Sequence, residues 1–234
     1  MYGMTNASGQ RTAGAGSGPG LRSDGSGTGA ASRPCGDGPK PQTFAPGRTI
    51  FCEGGEAAFF FEIVSGTVRC CSLTENGRRQ IYRFAGAGEM LGLGGEELHS
   101  YSAEAITEVT VRRYRLSSLE TAMASDGRLR ERVLQALRDE LSAVCMQMML
   151  LGRMSAAERI ASFLRKLSER QTGADGCIHL AMRRADIADY LGLTLETVSR
   201  QIGALRRSGV IELLGPCQVR IRDAGRLEAA AEAA

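Results

Sequence analysis

Residues 183–212, RRADIADYLGLTLETVSRQIGALRRSGVIE, constrain this chain more than any other stretch. Two apolar stripes meet there at a glycine. Ile187, Tyr190 and Leu191 fall on one face at helical spacing, and Val198, Ile202 and Leu205 repeat the period after Gly192. Gly192 suits the turn between them, and Thr194 offers a side-chain oxygen to cap the second run. The pattern predicts a helix, a tight turn, a second helix and then a strand. Leu195, Glu196, Ser199 and Arg200 project together from the side opposite the second apolar stripe.

Those four side chains carry specific chemistry if the pair is a helix-turn-helix, because that motif presents the start of its second helix to base edges in the major groove. The guanidinium fork of Arg200 matches guanine O6 and N7, the Glu196 carboxylate can accept from cytosine N4, and Leu195 suits a thymine methyl. Hydroxyls of Thr194, Thr197 and Ser199, beside the helix N-terminus, favour phosphates. The residues alone also fit a second description, a two-helix hairpin with a solvated charged face, which the pattern favours less.

The run LGLTLETVSRQIGALRRSGVI resembles the signature of the CRP/FNR family of bacterial transcription regulators, in which an E-T-x-S/G-R core contacts bases. The resemblance places the reading glutamate on Glu196 and the arginine on Arg200. Ser199 and the apolar Leu195 match the FNR side of the family, which implies a TTGA-like half-site. Arg183 and Arg184, ahead of the first helix, suit phosphate contacts like Thr194 and Thr197; the resemblance favours that role for Arg184, while Arg183 reads as well as part of a solvated pair. With the regions below, the likeness spans roughly residues 44 to 222.

Charge is distributed to match. The net charge of the 234 residues is only +3, yet residues 153–222 hold 12 Lys/Arg against 7 Asp/Glu, while residues 41–152 hold 12 against 14. The positive surplus lies with the expected DNA reader, where phosphates need neutralising. Seven cysteines, at 35, 52, 70, 71, 145, 177 and 217, include no C-x-x-C and no even framework. Neither a disulfide scaffold nor a zinc site fits, and a reduced cytoplasm is the simpler setting. No apolar run approaches a membrane span, and the N-terminus lacks a signal-peptide core. Two histidines are too few for a histidine metal cluster and give poor support to a serine triad, so an enzyme is the class least supported.

Residues 1–40 carry eleven glycines and almost no large apolar groups, the composition of a flexible tail. From Phe44 the chain changes to short apolar or alternating runs punctuated by glycine, with Asn76-Gly77 as a hairpin signal. Regular short strands of this kind predict a jelly-roll barrel. The features at Gly47–Ile50, Val64–Gly66 and Gly88–Gly92 resemble the family's cyclic-nucleotide-binding-type domain. Where nucleotide-binding members place a glutamate and a phosphate-binding arginine, this chain has Leu93 and Tyr101, with Glu96 and Glu97 adding negative charge. The resemblance therefore implies a barrel kept as a scaffold. It also implies no iron–sulfur cluster, because only Cys35 and Cys52 are near the N-terminus.

A long helix is expected over roughly residues 128–152. Leu134, Leu137, Leu141, Val144, Met148 and Leu151 follow alternating three- and four-residue steps, the seam of a coiled coil. The same spacing fits an amphipathic helix lying on its own barrel; the family pairs through this helix. The Met-rich MQMML run suits adaptable packing. Residues 156–170 form a further apolar stripe, and VIELLGPCQVRIR predicts a two-stranded wing around Gly215-Pro216, followed by an Ala-rich surface helix or tail.

These readings combine into an α+β chain. A tail over 1–40 precedes a jelly-roll effector-type domain over 41–120, a dimerisation helix over 121–152 and a winged helix-turn-helix over 153–234. The resemblance is strongest to the FixK branch of the FNR group. It implies a homodimer on an inverted DNA repeat, probing half-sites about one helical turn apart, RNA polymerase as a partner, no cofactor, and control of microaerobic or anaerobic respiration or nitrogen-fixation genes. A barrel that must hold a small molecule before DNA is bound is the rival reading, and redox control through Cys177 or Cys217, which flank the reader, is a third.

Overall fold

The computed structural model describes residues 39–94, 97–171 and 176–232. The expected tail lies outside them for all but its last two residues, as do Cys35 and Glu96.

Eight strands form the N-terminal half. They are β1 (Gln42–Phe44), β2 (Thr49–Phe51), β3 (Phe59–Ser65), β4 (Val68–Leu73), β5 (Arg79–Ala85), β6 (Met90–Leu91), β7 (Ser102–Ala105) and β8 (Val109–Arg115). Two antiparallel sheets, ordered β1-β8-β3-β6 and β2-β7-β4-β5, pair strands distant in sequence, as a jelly roll does. Alternation puts Phe61, Ile63, Val68, Leu91, Ala103, Val109 and Val111 inside, all buried. Gly66 makes the β3–β4 turn with φ +93°, and a Cβ there would lie 2.2 Å from the Glu108 carbonyl oxygen. No other residue fits that corner. The β4–β5 hairpin at Asn76-Gly77 closes through a loop over residues 74–78, in which the Gly77 and Thr74 amides donate to Thr74 O and Arg78 O, both at 2.8 Å.

Two helices follow the barrel. A short α1 (Leu119–Ser125) ends at Asp126, whose extended backbone starts α2 (Gly127–Arg153). The Asp126 carboxylate accepts from the Arg128 and Leu129 amides at 2.9 and 3.1 Å, which satisfies donors otherwise lost at a helix start. The buried face of α2 carries Val133, packed with Phe60 and Met90 of the barrel and Leu119 of α1, and Leu150, packed into the C-terminal core.

The C-terminal core is built on α3 (Ala156–Arg170), α4 (Arg184–Leu191), α5 (Leu195–Arg207) and α6 (Ala224–Ala231), with β9 (Cys177–His179), β10 (Ile211–Leu213) and β11 (Gln218–Ile221) in a sheet ordered β10-β11-β9. Ser155 and Glu158 form a reciprocal capping box at the start of α3, with bonds of 3.4 and 2.6 Å. Ile160, Leu164, Ile187, Leu191, Val198 and Ile202 meet in one cluster. The Ala-rich end is helical and belongs to this core, because Leu227 and Ala231 of α6 are buried in it. Among the described residues no helix is long and apolar enough to cross a membrane.

Candidate nucleic-acid interface

The turn between α4 and α5 forms as the residues require. Gly192 takes a left-handed conformation (φ 61°, ψ 39°), and the Leu193 amide donates back to Ala188 O at 3.0 Å. Thr194 then caps α5, its Oγ1 accepting from the Thr197 amide at 3.2 Å and lying 3.0 Å from Thr197 Oγ1. Val198 and Ile202 anchor the inner face of α5 in the core. Leu195, Glu196, Ser199 and Arg200 are all exposed on its outer face, Leu195 by 51%. A single half-exposed leucine is ordinary on a protein surface, but placed beside an acid and a base it suits base edges.

The two expected phosphate arginines differ. Arg183 is exposed just before α4. Arg184 is half-buried; its Nη1 is buried without a partner among the described residues, and burial lowers the affinity of its guanidinium for a proton. Beyond α5, the wing is braced by Glu212, which accepts from Arg222 at 2.5 Å and from Arg220 at 3.3 Å. Cys217 sits exposed at its tip, and Cys177 Sγ accepts from Arg220 Nε at 3.3 Å.

Several residues that hold this site carry no local sequence signal. The Arg159 guanidinium donates to Leu151 O, Met154 O and Leu191 O at 3.0, 2.9 and 2.9 Å, tying the end of α2 to the end of α4. Gln147 of α2 donates to the Tyr190 carbonyl. From the barrel, Arg69 and Arg79 reach Asp186 of α4 at 2.8 and 2.9 Å, and Arg79 also reaches Asp189 at 2.7 Å. Partners more than 100 residues apart are invisible to periodicity.

The seam on α2 divides. Leu134, Leu137, Leu141, Val144 and Met148 are exposed by 41, 39, 66, 39 and 70%, on the side away from the barrel. Leu151 instead is half-buried against the C-terminal core. The helix thus lies on its own barrel with one face and presents a second apolar stripe outward.

Inside the barrel lies Tyr101, the residue that the resemblance sets against the arginine of nucleotide binders. It is 5% exposed, its hydroxyl accepts from the Gly92 amide at 2.9 Å, and its ring packs 5.2 and 5.3 Å from Phe51 and Tyr82. Sequence reasoning missed Arg83, which is buried on the inner side of β5 and donates to Met90 O at 3.2 Å. A cleft of about 180 Å³ opens between that residue and α2, lined by acids and bases alike, including Glu89, Arg132 and Asp139. Among the described residues no group of three or more His, Cys, Asp or Glu is placed to hold a metal ion.

Comparison with known proteins agrees with this geometry. Residues 41–126 match the cyclic nucleotide-binding domain family and residues 158–230 the Crp-like helix-turn-helix domain family. The chain is 38% identical over 193 residues to the nitrogen fixation regulation protein FixK of Bradyrhizobium diazoefficiens, covering 81% of each chain. It is 34% identical to the transcriptional activator protein FnrL of Cereibacter sphaeroides, covering 80% of this chain and 78% of that one. The solved structure of FixK2 from Bradyrhizobium japonicum superposes with a TM-score of 0.78 at 37% identity, covering 83% of this chain and 98% of that one. A winged helix-turn-helix beneath a cyclic-nucleotide-type barrel, shared at this identity over four-fifths of the length, makes the chain a DNA-binding transcription regulator of the CRP/FNR family.

Proposed function

We propose that this protein is a transcription activator that binds as a homodimer to a TTGA-type inverted repeat without a small-molecule effector, and that it controls genes of microaerobic or anaerobic respiration or nitrogen fixation. The observation that carries the reading is the joint exposure of Leu195, Glu196, Ser199 and Arg200 on the first two turns of α5. Arg200 pairs with guanine, Glu196 with cytosine and Leu195 with a thymine methyl. Thr194, Thr197, Arg183 and Arg184 hold the phosphates on either side.

Pairing follows from the outward stripe on α2. Each leucine there is 39–66% exposed and so forfeits only part of the about 1.5–3 kcal/mol that full burial brings, and a second copy of the same helix covers the stripe with a self-complementary seam. Effector independence draws support from Tyr101, whose buried ring and satisfied hydroxyl occupy the place a phosphate-binding cation would need. Nitrogen fixation as a target follows the nitrogen fixation regulation protein FixK and activation follows the transcriptional activator FnrL, the respiratory targets follow the resemblance to the FixK branch, and RNA polymerase is the partner that activation requires.

Unliganded protein titrated with a TTGA palindrome and with a scrambled duplex, at fixed moderate salt, tests the reading. Tight binding to the palindrome alone is expected, and added cyclic AMP or cyclic GMP should leave it unchanged. Equal affinity for both duplexes, or recovery of preference only with nucleotide, rejects it.

A further inference from the structure

Hairpin β4–β5 of the barrel meets α4 of the reader through charge. Asp186 is the centre, with a side chain only 4% exposed. Its Oδ1 accepts from Arg69 Nη1 at 2.8 Å and Arg79 Nη2 at 2.9 Å, while its Oδ2 accepts from the Arg183 amide at 3.1 Å and so caps its own helix. One turn on, Asp189 Oδ2 accepts from Arg79 Nε and Nη2 at 2.9 and 2.7 Å. Glu104 of β7 completes the set by accepting from Arg69 at 2.6 Å. The Gln80 amide adds a bond to the Asp189 carbonyl at 2.9 Å.

We propose that this ion cluster is the positioning device of the reader: by fixing α4 on the β4–β5 hairpin it sets the angle of α5, so that two readers in a dimer meet two half-sites together with the barrel unoccupied. The proposal rests on the reading of the chain as an effector-independent, two-fold DNA binder.

Three arguments carry it. Ion pairs taken out of water add little net stability, because desolvation offsets the attraction. Their distinctive effect is directional: a sliding or rotation of α4 would leave Asp186 buried without its partners, which is costly, whereas the apolar neighbours Phe84 and Tyr190, 5.2 Å apart, tolerate such a shift. The cluster also sits one short turn from the reading helix. Asp189 and Leu195 are separated only by the end of α4, Gly192 and the cap, and the turn is itself fixed by the Arg159 bond to Leu191 O. Finally, the barrel end of the cluster is continuous with the elements that pack on α2, so a fixed α4 means a fixed distance from the seam.

Orientation matters for two half-sites and hardly at all for one. Binding the second half-site is intramolecular, and its effective concentration collapses when the geometry no longer spans the sites. Arg79→Gln, Asp189→Asn and the double variant are compared with the wild type on a full palindrome and on a duplex holding one half-site, without ligand. Each single variant should lose at least tenfold on the palindrome and stay within twofold on the half-site. The double variant should lose no more than Arg79→Gln alone, because that single change already removes the contact to Asp189 along with the one to Asp186. Equal loss on both duplexes overturns the proposal, because the cluster then supports the fold of the reader and not its placement. Unchanged palindrome binding, or losses that add, overturns it as well. A wild type that prefers the palindrome no more than the half-site, or prefers it only with cyclic nucleotide, overturns the proposed function, and this proposal with it, before any variant is compared.

Discussion

The Cα of Gly192 lies beneath Leu151, so closely that a Cβ on the glycine would stand 2.9 Å from Leu151 Cδ2. One glycine thus serves two ends. Its positive φ turns α4 into α5, and its missing side chain lets the tip of the long helix rest on that turn. Gly192→Ala should cost about 1–2 kcal/mol from the left-handed backbone alone, plus whatever movement Leu151 needs. Urea unfolding measures it. Gly192→Asn shares the Cβ that meets Leu151 but tolerates the left-handed backbone better than alanine, so whatever stability it keeps over Gly192→Ala reports the backbone part of the cost, and an alanine variant as stable as the wild type would show the turn to be unstrained.

Arg200 and Arg184 divide the work of binding differently. Arg200→Ala should cost about 1–3 kcal/mol per half-site and relax the preference at the guanine it pairs with. Arg184→Ala should weaken binding to every duplex by a similar factor and flatten the salt dependence. Titrations on cognate and singly substituted palindromes at two salt concentrations distinguish the roles. Identical specificity profiles for the two variants would remove the assignment.

Charging the outward stripe should separate the copies. Leu141 and Val144 are exposed by 66 and 39%, so replacing both with glutamate leaves the protomer core intact while placing like charges face to face across a two-fold axis. Sedimentation should then report a monomer, with palindrome binding lost. A dimer that survives the change would mean that pairing runs through another surface.

How far the sequence reached depends on the range of the forces involved. Local periodicity was sufficient for α2 and α3, and with cap chemistry for the α4–turn–α5 unit, because Gly192 and Thr194 act within a few residues of where they sit. The break at Asp126 was hidden by the helical propensity on both sides of it. The α6 tail read as surface because alanine carries little hydrophobic signal, yet Leu227 and Ala231 are buried in the core. Leu151 fits the coiled-coil spacing, and what turns it inward is contact with a glycine forty-one positions later. The same blindness covers Arg69, Arg79 and Arg83, whose partners are fixed by topology alone.

Cysteine reactivity should divide along burial. Cys70 and Cys71 lie side by side at the bulge between β4 and β5, and burial pushes their thiols up to about 12 and about 11. Cys52, Cys145 and Cys217 are exposed. Alkylation at pH 8, followed by peptide mass spectrometry, should label the exposed three in minutes and leave the pair untouched until the fold is opened with denaturant, because only the thiolate reacts. Early labelling of Cys70 would mean that the barrel opens far more readily than its packing implies.

Glu140 gives the fold a pH dependence of definite sign. This residue of α2 has its carboxyl raised above the usual range, first by burial, and against the opposing pull of Arg83 and of a hydrogen bond from Tyr101. Because desolvation wins, the native state holds the proton more tightly than the unfolded chain does. The resulting stability is therefore fully present below the unfolded value of about 4.3, and is lost as pH rises through the higher native value, where the folded protein must carry a buried charge. Glu140→Gln keeps the shape and removes the titration. Urea midpoints measured from pH 4 to pH 8 should show the variant more stable than the wild type at pH 7, with the gap closing toward pH 4. If the wild type is instead the more stable protein at neutral pH, the attraction of Arg83 outweighs desolvation, and the carboxylate is a stabilising charge inside the barrel.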